Sequence, residues 1–318
     1  MLDNIIFSIN AVMPLVLMIF FGTFIRTRTS LFPDPKAFFG QLEKFVFNIA
    51  LPVYLFNVVA RAEIRGADNI RLVVYCIAAI ILTAVVLSFV SPLYIKSKQA
   101  RGAYINGISR PNFVILGVPL VYKLTEGSGA AFAALVLPFV VLLFNALGVV
   151  VLTLNAEEAQ TNGLRSVFTG IGKNPLIRAL VLGLLFMLLG IELPEVAQRT
   201  LNSVGATATP LALISLGAGI NLLYLKSRLR LALSAVVIKT VICPIVFLIP
   251  AMLLGFNNDE LVTIYVLAAA PSAVASYITA QNMNSDAYLA GQILTLTTVV
   301  CPITIFIGSL VLRSIGVI

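Results

Sequence analysis

The chain has 318 residues, of which 60% are hydrophobic and 11% charged, and its mean hydropathy is +1.05. That balance excludes an ordinary soluble domain and places the chain in a bilayer. The net charge of +8 does not indicate nucleic acid, because Lys and Arg fall in short connections between apolar runs rather than on one face. The absence of His excludes Ser-His-Asp chemistry and His-ligated metals.

A membrane span needs about 20 mostly apolar residues. On that basis the sequence predicts spans near 5–25, 43–60, 71–95, 103–122, 129–154, 175–191, 202–225, 231–256, 260–281 and 287–312. The first is read as a transmembrane helix and not a cleaved signal, since Asp3 precedes it and Arg26 and Arg28 follow. Cys76, Cys243 and Cys301 are scattered in apolar segments, a pattern of neither disulfides nor metal ligands, and no cofactor or metal is expected. The connection 155–174 is the longest; it separates a first unit, 1–154, from a second, 175–318, and no soluble domain is expected.

Pro52 and Pro210 are separated by the same interval as Pro92 and Pro250 (210 − 52 = 250 − 92 = 158), and this offset also superimposes Ala50 on Ala208, Leu55 on Leu213 and Phe89 on Phe247 without a gap. The chain therefore reads as one five-span unit written twice. Connections after odd-numbered spans hold thirteen Lys and Arg, among them Arg26, Lys36, Lys96, Arg165 and Arg228. The opposite side holds six, Arg61, Arg65, Arg71, Lys123, Arg199 and Arg313, with Arg110 and Lys239 set aside as intramembrane. Positive charge marks the cytoplasmic side, so both termini are expected outside a plasma or inner membrane. Five being odd, the second unit enters the bilayer inverted. The expected fold is an all-α polytopic membrane protein with a 5+5 inverted repeat, a ground plan of carriers that bind substrate between the repeats.

Spans four and nine carry prolines at depth, Pro111 and Pro119 in one and Pro271 in the other. Proline removes a donor and clashes with the carbonyl four residues earlier, so each span is expected to break. Shifting Pro111 by the repeat offset gives 269, two residues from Pro271. The breaks are thus expected to meet near the midplane, where half-helix N-termini favour an anion. A proline kink without a ligand role is the alternative.

The stretch Arg110-Pro111-Asn112-Phe113-Val114-Ile115-Leu116-Gly117-Val118-Pro119-Leu120 resembles the Arg-Ser-Asn-Phe-x-x-x-Gly-x-Pro signature of bacterial members of the auxin efflux carrier family. Ala50-Leu51-Pro52-Val53-Tyr54-Leu55-Phe56 is similar to the family's second-helix motif, and Pro138, Asn145, Lys239, Pro244, Pro271 and Thr297-Thr298 extend the likeness over essentially the whole chain. Pro111 departs from it, since bacterial relatives more often carry Ser there. The resemblance implies a scaffold of spans 1, 2, 6 and 7 and a transport domain of spans 3–5 and 8–10, with spans 4 and 9 crossing at their breaks in an elevator-type mechanism. It also implies small organic anions as substrates, such as auxin or dicarboxylates.

Lys239 lies about nine residues into span eight, roughly 12–14 Å deep at 1.5 Å per residue. An ionisable residue at such depth is a functional candidate, unless its stem snorkels to the headgroups. Arg110, beside the first break, could hold a carboxylate in two bonds, or stand at the cavity mouth as a topological charge. Asn112 could contact substrate or merely cap the second half-helix. In span nine Ser272, Ser276, Tyr277 and Gln281 are candidates, with Ser272, Ser276 and Thr279 on one helical face; packing of small polar residues is the alternative. Asn145, Gln292, Thr295, Thr297 and Thr298 are weaker ones.

Positive half-helix ends beside a cation suit a carboxylate. The expected function is therefore a secondary carrier, an efflux carrier by resemblance, of small organic anions, with lipid and substrate as partners and no nucleic acid. Apart from Asp3, every Asp and Glu is assigned to a connection or a helix end, so the coupling ion stays open, as does a homodimer. A sodium-coupled symporter like the bile-acid carriers would need hydroxyl and backbone oxygens at the crossing. A non-transporting sensor does not require paired breaks, and an intramembrane enzyme would need a nucleophile, metal cluster or carboxylate pair that is not seen.

Overall fold

The computed structural model describes residues 2–28, 32–61, 68–156, 175–219 and 228–318. All but the first two residues of the connection 155–174, and the end of the seventh predicted span beyond 219, lie outside the described residues. Among those described, every regular element is helical. An apolar chain in lipid has no water to satisfy its amides and must bond them internally, which a helix does.

In chain order the helices are α1 (Leu2–Arg28), α2 (Pro35–Phe45), α3 (Leu51–Ala60), α4 (Asp68–Val90), α5 (Lys98–Ser109), α6 (Val118–Leu124) and α7 (Ala130–Leu154). They continue with α8 (Pro175–Leu189), α9 (Glu195–Ala206), α10 (Ala208–Gly219), α11 (Leu229–Val237), α12 (Cys243–Leu253), α13 (Asn258–Ala269), α14 (Val274–Asn282) and α15 (Ala287–Ser314). Among the described residues, five stretches are long and apolar enough to cross a membrane, Ile70–Leu93, Ala130–Leu154, Glu195–Gly219, Leu229–Leu253 and Ala287–Ser314. The molecule is a polytopic helical membrane protein.

Three π-helical turns, Val46–Ala50, Phe113–Gly117 and Ile238–Ile242, share one cause. Each ends two residues before a proline, Pro52, Pro119 or Pro244. The ring crowds the carbonyl four residues back and brings no N–H, so the preceding turn widens by one residue. The widening is visible as bonds from Leu51 to Val46, Val118 to Phe113 and Cys243 to Ile238, five residues apart instead of four.

Glycine sets the closest helix contact. A methyl on Gly22 of α1 would lie 1.9 Å from the Ile214 carbonyl oxygen, and one on Gly217 of α10 would lie 1.8 Å from that of Ile19. The two backbones therefore touch, as small residues permit in membranes. Thr23 Oγ1 donates to the Gly217 carbonyl at 2.8 Å, and Arg26 donates to that of Ala218. Another close contact is that of α8 on α3, with Gly183 against the Phe56 carbonyl.

The connections sort to two ends of the bundle. At one, Arg228 pairs with Asp286 at 2.8 Å and Ser285 Oγ donates to the Gln99 carbonyl at 2.8 Å. At the other, Ser128 Oγ donates to Asp259 at 2.9 Å and Asn258 Nδ2 to the Gly316 carbonyl at 3.2 Å.

Candidate functional site

The helix from Lys98 stops at Ser109, and the chain turns helical again only at Phe113; the helix from Asn258 stops at Ala269 and resumes at Val274. The extended residues between pair as a short antiparallel bridge, Pro111 opposite Ser272. Asn112 N–H donates to the Pro271 carbonyl at 2.7 Å, and Ala273 N–H to the Arg110 carbonyl at 2.9 Å. The Ser272 N–H, which a continuous helix would direct at Ala268, donates to Thr297 Oγ1 of α15 at 3.1 Å. The breaks thus satisfy two of each other's freed backbone groups, and side chains of neighbouring elements take others; exposure of such groups to lipid would cost several kcal/mol apiece.

Beside this crossing lies a cavity of about 610 Å³, within the size range of small-molecule sites. Arg110, Pro111, Asn112, Asn145, Val274 and Thr279 form its inner end; Phe47, Leu51, Val114, Ile115, Phe144 and Ile278 give it apolar walls, and Glu43, Lys44 and Asn48 of the segment 40–51 line another part. A second cavity of about 340 Å³, with Arg26, Tyr277, Thr295 and Thr298 in its lining, shares Gly40, Glu43, Ser215, Leu216, Val274 and Ile278 with the first.

Arg110 is 8% exposed. Its guanidinium donates to Asn145 Oδ1 at 2.7 Å and Thr279 Oγ1 at 3.1 Å. Both acceptors are neutral, and among the described residues no carboxylate lies within ion-pair distance. Asn112 is 4% exposed, and its Nδ2 has no acceptor among the described residues although Asn112 borders the cavity. Buried donors in folded proteins are almost always paired; this Nδ2 is closed off from the cavity, so it would meet an acceptor carried by a ligand only after the Asn112 side chain turns toward the cavity. The N-terminal turn of α14 borders the cavity through Val274 and Ala275, and the N-terminal end of a helix favours negative charge.

The remaining sequence-predicted residues divide. Tyr277 borders the smaller cavity. Ser272 and Ser276 are buried against each other, their hydroxyls 2.9 Å apart, with Ser276 Oγ donating to the Ala273 carbonyl at 2.7 Å; neither borders the two cavities. Gln281 is exposed near the end of α14 and also borders neither cavity. Pro119 shapes the π-turn after the break rather than the break itself. Lys239 is 2% exposed and donates to the Ala268 carbonyl at 2.9 Å, which is incompatible with snorkelling; it borders neither cavity. Sequence reasoning missed Glu43 as a cavity residue and Asn106, whose Nδ2 donates to the Ser276 carbonyl at 3.1 Å. Asn106 sits one helical turn before Arg110, a spacing that signals a shared face.

Broken helices that pair at depth beside a cavity belong to membrane transport proteins, since irregular backbone survives there only where protein or an aqueous path satisfies it. Comparison with known proteins agrees. The family described as membrane transport protein matches residues 7–307, and the chain belongs to this auxin efflux carrier-like family. It is similar to an uncharacterized transporter of Methanothermobacter thermautotrophicus, 23% identical over 278 residues, covering 86% of this chain and 89% of that protein. It is also similar to the uncharacterized transporter YfdV of Escherichia coli K12, 24% identical over 318 residues, covering 96% of this chain and 99% of the relative.

Proposed function

We propose that the chain is a secondary carrier of small organic anions, above all monocarboxylates with an apolar body, which it binds where the two broken helices cross. The Arg110 guanidinium, held among the described residues only by neutral acceptors and lining the cavity with Asn112 at the crossing, carries this reading. A carboxylate there would accept from Arg110 and, once its side chain turns toward the cavity, from Asn112, while Val114, Ile115, Phe144 and Ile278 would enclose the rest of the ligand. With Lys239 occupied elsewhere, Arg110 is the cation at the crossing end of the cavity, while Lys44 lines another part beside Glu43, and a single cation at that end suits one carboxylate better than two.

In this reading the helices make ten spans as a 5+5 inverted repeat in a cell membrane, with both termini outside. The spans of α1, α2–α3, α8 and α9–α10 form a scaffold, and the others form a transport domain that carries the crossing past it. The cavities take lining residues from the end of α1, the start of α2 and the end of α10, the end that the positive connections assign to the cytoplasm. Delivery outward from that side is efflux.

A thermal-shift screen of the purified protein against organic acids tests the proposal. A ligand of the native state stabilises it by about 2.7 kcal/mol at a concentration 100 times its Kd. Stabilisation by acids such as phenylacetate, absent with the matching primary amides, supports the reading; equal effects of acid and amide contradict it.

A further inference from the structure

Lys239 is the most deeply buried cation among the described residues, and the anion cavity does not use it. It stands in the π-turn before Pro244, where the widened turn belongs to the wall facing α13. Its ammonium donates to the Ala268 carbonyl at 2.9 Å. That carbonyl has lost its helical partner, because Ser272 N–H points instead at Thr297. The next carbonyl, of Ala269, takes Cys301 Sγ at 3.3 Å. The carbonyl end of α13 is therefore covered by side chains from two other elements, and the helix dipole makes that end negative. No carboxylate among the described residues pairs with Lys239, so backbone carbonyl charge is what compensates the buried ammonium.

We infer that Lys239 is a positioning residue of the crossing: a cation fixed to the chain occupies the carbonyl end of α13, where a broken membrane helix otherwise offers a site to a metal cation. The break then keeps its geometry without sodium. The two cations buried among the described residues divide the work. Arg110 belongs to the cavity and Lys239 to the frame that holds Pro271 and Ser272 opposite Pro111. The inference concerns the second break alone and is measurable without any anion, although its consequence for binding rests on the function proposed above.

The test compares wild type, Lys239→Ala, Lys239→Met and Lys239→Arg. Melting temperature is measured without anion in sodium, potassium and choline chloride at matched ionic strength, and again with 100 mM methylammonium chloride. We expect wild type to be indifferent to the three cations. Lys239→Ala should melt lower and recover with methylammonium, which fits the vacated space. Lys239→Met, which fills that space with an uncharged stem, should melt lower without recovering, and Lys239→Arg should lie between Ala and wild type. With phenylacetate as the probe, Ala and Met should bind at least tenfold more weakly than wild type, with methylammonium restoring the Ala variant at least threefold. A Met variant as stable as wild type, an Ala variant blind to methylammonium, or a wild type stabilised by sodium over both potassium and choline overturns the inference. Should neither neutral variant fold, the salt response of wild type decides: indifference supports it and selective stabilisation by sodium overturns it. Failure of wild type to bind any organic acid would refute the substrate assignment and leave the anion-free melting results standing.

Discussion

The Asn112 N–H donates to the Pro271 carbonyl across 2.7 Å, joining the two halves of the sequence through backbone alone. Its companion bond from Ala273 to Arg110 makes Pro111 and Ser272 directly opposite, non-hydrogen-bonded partners. Such partners have Cα atoms about 4.5 Å apart, close enough for a disulfide. In a variant lacking Cys76, Cys243 and Cys301, the pair Pro111→Cys and Ser272→Cys should cross-link on mild oxidation. A protease site placed in 155–174 provides the readout: the cut halves should migrate together until reduced. Separate migration after oxidation would show that the breaks do not meet.

Asn112→Ala removes a neutral donor and should weaken binding of a carboxylate by about 0.5–1.5 kcal/mol, roughly twofold to thirteenfold in Kd. Asn112→Asp, placing a negative charge at the same spot, should weaken it further. A Kd unchanged in both, with melting temperature preserved, would assign Asn112 to capping of the half-helix alone.

Gly217→Val tests the close contact of α1 with α10. Its first added carbon would meet the Ile19 carbonyl, and overpacking of this kind costs about 1–3 kcal/mol or more. Yield and melting temperature should both fall, whereas Gly40→Ala, with nothing within 4 Å of an added methyl, should be tolerated on both measures.

The position of the termini follows from the positive connections. A reporter fused after Ile318 that works only outside the cytoplasm should be active, and one that works only inside should be silent. The reverse pattern would turn the molecule over in the membrane.

Much of this was legible in the sequence because lipid leaves few choices. Apolar length marked the helices, and the prolines at 111 and 271 marked both breaks to within a few residues. What escaped was direction. Ser272, Ser276 and Thr279 share a helical face by spacing, yet only Thr279 borders the large cavity, because the bridge at Ser272 changes the path of the chain before α14 begins. Lys239 read as a cation at depth, but a helical wheel assumes a constant turn, and the π-turn before Pro244 breaks that assumption at this residue. Glu43 was passed over as a span end, whereas the structure sets it on the lining of both cavities.

The most direct measurement is calorimetric titration of the purified carrier with phenylacetate, comparing wild type with Arg110→Gln, Arg110→Lys and, as a control cation, the exposed Arg199→Gln. A charge-assisted bond contributes about 1.5–3 kcal/mol, so Arg110→Gln should raise Kd at least tenfold, Arg110→Lys should recover part of the loss, and Arg199→Gln should match wild type. An Arg110→Gln protein that folds and binds the acid within twofold of wild type would contradict an anion site at the crossing of the broken helices.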